Sequence, residues 1–206
     1  FEYLNGFVHS WYYLGVSGLS SSQYFVRATL PFSTVLPAVL CTYDLLDTPR
    51  MRARTEELLR VRLSPRSLGT AAAGVLAVSV AGLVGIGVWP EVLFPMVWVS
   101  PALIMAAAMT LRRKPIAIDP DVRRRILLMP LAAAMCGFFW EMWNFFSLAK
   151  WKYEIPYVGG FHVFEMPLLG YLGYLPFGWE CALVGAFVQR HANAGRGPSA
   201  AGTAAV

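Results

Sequence analysis

Apolar runs about as long as a membrane is thick alternate along this chain with short, arginine-rich stretches. A helix needs about 20 mostly apolar residues to cross a bilayer. Five stretches reach that length: 24–46, 68–89, 92–111, 126–146 and one within 163–188. Pro31 and Pro37 lie inside the first, and Pro167, Pro176 and several glycines interrupt the fifth. The pattern predicts an all-α, polytopic membrane helix bundle with five spans. It divides the chain into 1–46, a basic loop 47–67, a helical hairpin 68–111, a second basic loop 112–125, a segment 126–189 and a disordered tail 190–206.

Composition agrees with that pattern. The chain has 206 residues, of which 57% are hydrophobic and 14% charged, where soluble domains carry about 25% charged residues. The net charge of +5 comes from bunched basic residues rather than from a continuous surface. Arg50, Arg52, Arg54, Arg60, Arg62 and Arg66 fall in the first loop. Arg112, Arg113, Lys114, Arg123, Arg124 and Arg125 fall in the second, and Arg190 and Arg196 in the tail. Five spans put all three groups on one face, which the positive-inside rule makes cytoplasmic. This implies a multi-pass protein of a bacterial inner membrane with no nucleic-acid partner. The other face receives residues 1–23 and 147–162, rich in Trp and Tyr as membrane interfaces are.

Those two outer segments echo one another. Glu2 and Asn5 recur as Glu141 and Asn144, Trp11 and Tyr13 as Trp151 and Tyr153, and Leu36-Pro37 as Leu175-Pro176, each about 139 residues on. The echo predicts an internal duplication. A helix precedes Glu141 and none precedes Glu2, so the duplication also predicts a missing N-terminal helix and six spans in all. The first copy would be 1–46 and the second 126–189.

The costliest residue for a membrane segment is Glu141, in FFWEMWNFF. An ionisable side chain within a span is a functional-site hypothesis by default. Asn144 shares its helical face and is expected to hold its carboxyl group by a hydrogen bond, with Trp140 and Trp143 alongside. Glu180 follows Trp179 in a second helix. If that helix starts near Tyr174, Glu180 lies roughly 9 Å below its end, level with Glu141; a start at Met166 puts it roughly 21 Å down. Cys41 stands at the position matching Glu180, and Asp44 one turn deeper could complete a shared acid set. Other readings stay open: Glu141 could be neutralised by Lys150 or Lys152 or face water, Glu165 could be a solvated acid at headgroup level, and Trp151 could be an interfacial anchor. Cys41, Cys136 and Cys181 have no metal-type spacing, so no metal or other cofactor is expected. His9, His162 and His191 lie outside the spans, which argues against haem ligation.

The second half resembles the small integral-membrane lycopene cyclase domains, through Trp140-Glu141, then Trp151-Lys152-Tyr153, then Leu175-Pro176 with Glu180. It also looks similar to small membrane terpene cyclases with a Trp-Glu pair on a helix. In the cyclase domains glutamates directly follow Leu-Pro, whereas Phe177-Gly178-Trp179 intervene here. The resemblance implies a metal-independent isomerase acting on an isoprenoid or carotenoid. Glu141 and Glu180, with Asn144, would handle protons, and Trp140, Trp143, Trp151, Tyr153, Trp179 and Asp44 would line the substrate. Aromatic faces would stabilise a carbocation. The competing expectation is a non-catalytic membrane subunit that scaffolds a photosynthetic or respiratory complex, or that binds pigment or lipid. A proton-coupled transporter ranks below both, because few polar residues fall in the other spans.

Overall fold

The computed structural model describes residues 1–58, 65–112 and 120–195. In chain order they form α1 (Glu2–Val8), β1 (Trp11–Leu14), α2 (Ser21–Leu46), α3 (Pro49–Leu58), α4 (Pro65–Gly85) and α5 (Pro90–Leu93). There follow α6 (Met96–Arg112), α7 (Pro120–Phe146), β2 (Lys150–Tyr153), β3 (His162–Val163), β4 (Met166–Pro167), a 3-10 turn (Leu168–Gly173) and α8 (Tyr174–Gly195).

Among the described residues, four helical segments are long and apolar enough to cross a membrane: Ser21–Leu46, Leu68–Gly85, Arg124–Phe146 and Leu168–Gln189. The fifth expected span is the shorter helix Met96–Arg112. Its apolar run is broken by the turn before Met96, where the hairpin needs residues to reverse direction. Two other expectations change. The first basic loop is partly helical, as α3, and the tail stays helical as far as Gly195. Arg60, Arg62, Arg113, Lys114 and Arg196 lie outside the described residues.

The core sits where α2, α7 and α8 meet. Val39 and Tyr43 from α2 pack with Leu128, Met129, Ala132, Ala133 and Cys136 from α7 and with Cys181 from α8. Small residues set the approach. A Cβ on Gly178 would run into the Met129 carbonyl and Pro130, so α8 crosses α7 backbone to backbone, as small residues allow in membrane bundles. The hairpin α4–α6 packs alongside, with α6 against α8. A capping box starts α2: the Ser20 hydroxyl accepts from the Gln23 amide, and the Gln23 side chain accepts from the Ser20 amide. That satisfies two orphan donors of the first turn.

Ion pairs tie the end of the bundle opposite β1 and β2. Arg124 bridges Asp47 at 2.8 Å and Asp121 at 2.6 Å, and Arg52 joins Asp47 at 3.0 Å. Asp47 thereby fastens the exit of α2 to α7. At the other end β1 and β2 pair antiparallel, with Trp11 opposite Tyr153, Tyr12 opposite Lys152 and Tyr13 opposite Trp151. The two echoing segments are therefore in direct contact. Exchanging Trp11 with Trp151 and Tyr13 with Tyr153 turns this register into itself.

Candidate functional site

Each strand of the small sheet is fastened to the helix before it by the same four hydrogen bonds. In the second half the Asn144 amide donates to the Trp151 carbonyl at 2.8 Å, and its oxygen accepts from the Trp151 N–H at 2.8 Å. The Trp151 indole and the Tyr153 hydroxyl both donate to Glu141 Oε1, at 3.4 and 2.6 Å. In the first half Asn5 donates to the Trp11 carbonyl at 2.8 Å and accepts from its N–H at 3.2 Å. The Trp11 indole and the Tyr13 hydroxyl donate to Glu2 Oε1 at 3.2 and 2.6 Å.

The chemistry follows from strand alternation. Residues two apart share a face of a strand, so Trp and Tyr of the W-x-Y element reach the carboxyl group together. On the opposite face Lys150 and Lys152 both reach Glu165, at 3.2 and 3.4 Å. Glu165 is thus a paired acid rather than a solvated one, and the lysines that could have neutralised Glu141 are engaged elsewhere. Asn144 serves the Trp151 backbone instead of holding the Glu141 carboxyl.

The halves differ in a third donor. Tyr174, the first residue of α8, donates to Glu141 Oε1 at 2.9 Å. Room for its ring comes from Gly137, where a Cβ would meet Tyr174 at 2.5 Å. Glu141 has no exposed surface, and its Oε2 has no hydrogen-bond partner among the described residues. Burial pushes the Tyr153 phenol well above its usual range, and Tyr174 and Glu141 beside it add to the shift. The Tyr13 phenol is likewise pushed up, first by burial and then by Glu2.

Between the two clusters lies a chamber of about 780 Å³. Its wall takes Glu2, Trp11 and Tyr13 from the first half and Trp140, Trp143, Asn144, Trp151, Tyr153 and Tyr174 from the second. Trp98 of α6 closes one side, stacked on Phe1 at 5.1 Å and tilted against Trp11 at 5.3 Å. Such volumes and apolar walls with a few polar groups are usual for small-molecule sites, which run about 300–1,000 Å³.

The remaining candidates lie elsewhere. Neither Glu141 nor Glu180 is part of the chamber wall. The helix does start at Tyr174, yet Glu180 is buried beside Ala102 of α6, with Oε1 unpartnered among the described residues. Trp179 donates to the Ile126 carbonyl at 2.9 Å, outside the chamber. Asp44 is exposed and also outside it. Sequence reasoning missed Tyr174, whose contact spans 33 residues, and Glu2, Trp98 and Val35 as chamber residues. The echo of Glu2 with Glu141 was a signal for Glu2. Comparisons with family models, with curated proteins and with solved structures find no match to this chain.

Proposed function

We propose that this chain is an integral membrane protein whose aromatic chamber holds an isoprenoid or carotenoid lipid, with the two carboxyl clusters as the struts that keep the chamber open. The observation that carries this is the chamber itself, lined by rings from both halves. In both clusters the Trp and Tyr donors converge on one carboxyl oxygen, Oε1. Both clusters make the same four bonds around a self-exchanging strand register, which favours an internal duplication. The fifth span is Met96–Arg112, short but apolar and packed between α4 and α8. The clustering of arginines favours an inner-membrane protein with its basic loops in the cytoplasm. A role as a subunit of a larger membrane complex is compatible with the same chamber.

Lipid extraction from the purified protein tests this reading. Wild type should carry about one isoprenoid or long-chain lipid per chain, and Val99→Trp, which fills the chamber from α6, should carry far less. Equal or absent lipid in both proteins would sink it.

A second reading, a lycopene-type cyclase, has one observation in its favour. Tyr153 and Tyr174 both touch Glu141 and both line the chamber. A protonated Glu141 could reprotonate either phenol as that phenol gives its proton to an alkene carbon of the substrate. The resulting cation closes onto a neighbouring double bond over the Trp140 and Trp143 faces. Loss of a ring proton along the same path restores the start, so the net reaction is an isomerisation. Isoprenoid profiles of cells expressing wild type or Glu141→Gln decide it: identical profiles with both proteins present remove the cyclase reading.

A further inference from the structure

A chamber that holds a ligand needs a way in. The β1–β2 sheet roofs it, with Trp11, Tyr13, Trp151 and Tyr153 in the wall. Toward the ion-paired end lies the packed core of α2, α7 and α8. On the α6 side Phe1 stacks on Trp98 at 5.1 Å and meets Phe177 edge-on at 5.9 Å.

The side between α2 and α7 differs. These helices pack together along the half nearer the ion pairs, where Val39 and Tyr43 join the α7 core and Thr42 Oγ1 meets Cys136 Sγ at 3.3 Å. Closer to the strands they stand free of one another. From Ser21 to Thr34 every α2 residue is exposed or half-buried. On α7, Phe139, Trp143 and Phe146 are exposed. Prolines bend helices, and Pro31 and Pro37 fall where α2 leaves α7. The chain closes again above the gap. Gly15, shortly before α2, lies so near the Leu148 carbonyl, just after α7, that a Cβ would meet it at 2.7 Å. The result is a window, shut on one side by Gly15 and Leu148 and on the other by Thr42 and Cys136. Phe32 and Trp143 stand at its edges: each lines the chamber, and they are 50% and 60% exposed.

We infer that Phe32 and Trp143 frame a side door through which the chamber takes its ligand from the bilayer, in the leaflet nearer the strands. This rests on the chamber being a lipid site and adds the route, which restricts the ligand to molecules dissolved in the membrane. Exposed side chains change rotamer in picoseconds to nanoseconds, so two rings can let a hydrocarbon chain pass without parting the helices. A ligand arriving from water would instead have to break the sheet and the bonds that fasten it.

The test separates rate from affinity. The full chain in detergent micelles is loaded with a brominated twenty-carbon isoprenoid hydrocarbon, which quenches the chamber tryptophans. Excess unbrominated hydrocarbon is then added, and the recovery of fluorescence gives the release rate. Phe32→Ala and Trp143→Ala should speed release by roughly fivefold, the effect of about 1 kcal/mol less barrier, while the same probe concentration still saturates the quenching. Phe32→Trp should slow release. Should Trp143→Ala fail to fold, the two Phe32 variants decide. Release at the wild-type rate from both Phe32 variants overturns the inference and leaves the lipid chamber standing. So does acceleration by Leu172→Ala alone, which would put the mouth at the opposite wall. Absence of quenching in wild type overturns both the door and the lipid chamber.

Discussion

The Glu141 cluster and the Glu2 cluster make the same four bonds, yet only one of them is closed. Around Glu141 a third donor arrives from α8, Asn144 is buried, and the carboxyl group has no exposed surface. Around Glu2 the Tyr24 ring of α2 packs against the Tyr13 ring at 6.0 Å, Asn5 is half-buried, and Glu2 is exposed and borders the chamber. The four bonds decide how each strand is fastened to its helix. Burial and the third donor decide whether the carboxyl group is enclosed or stays open to the chamber.

The largest test of that contrast is removal of each acid. Glu141→Ala leaves three donors facing a buried void and should cost about 3–5 kcal/mol of stability, with Glu2→Ala costing about 1 kcal/mol. Thermal unfolding in detergent reads both, and equal losses would break the contrast. Next, Gly137→Ala drives a Cβ into the Tyr174 ring and should cost about 2 kcal/mol, as overpacking does. In that variant Tyr174→Phe should cost less than it does in wild type, because its bond to Glu141 is already strained. The asparagines come third: Asn144→Ala is expected to lose about 2 kcal/mol and Asn5→Ala about 1 kcal/mol, since the buried pair of backbone bonds has no water to replace it.

The smallest effect is on pH. A phenol whose folded pKa is raised binds its proton more tightly folded than unfolded, so its contribution is complete below about pH 10 and fades as pH rises above that. Tyr153, shifted by burial, should make stability fall by on the order of 1 kcal/mol per pH unit beyond pH 10. Tyr153→Phe and Tyr13→Phe should each flatten that slope by a comparable amount, because the slope counts protons and burial raises both phenols. Loss of slope from one variant and not the other would break the likeness of the two clusters.

Hydropathy made the long helices legible, because length and apolar content are local properties and the bilayer sets the length needed. The turn before Met96 carried one local signal, Pro95, within an otherwise continuous apolar run, and the hydropathy pattern alone passed over it. The echo of Glu-Asn with Trp and Tyr singled out the residues of both clusters except Tyr174, but not what each one does. Asn144 lies one turn from Glu141 and looked like its partner. Its actual partner is the backbone of Trp151, which comes within reach only when β2 folds back over the helix end. Lys150 and Lys152 alternate with Trp151 and Tyr153, a period of two that marks a strand with two unlike faces. Read that way, the alternation separates the lysines from Glu141. The burial of Glu180 against α6 depended on where the hairpin docks, and no local pattern encodes that.

The register of β1 against β2 also sets a timetable for folding. At about 5–20 residues per second of synthesis, β2 follows β1 out of the ribosome by roughly 7–28 s. Through that interval β1 exists as an edge without a neighbour, the kind of segment that recruits strands from other chains. Tyr12 and the Gly15 turn leave that edge short, which limits the hazard. A chain stalled before residue 150 would keep an unlatched first half, and its fate would be decided by quality control rather than by the stability of the finished bundle.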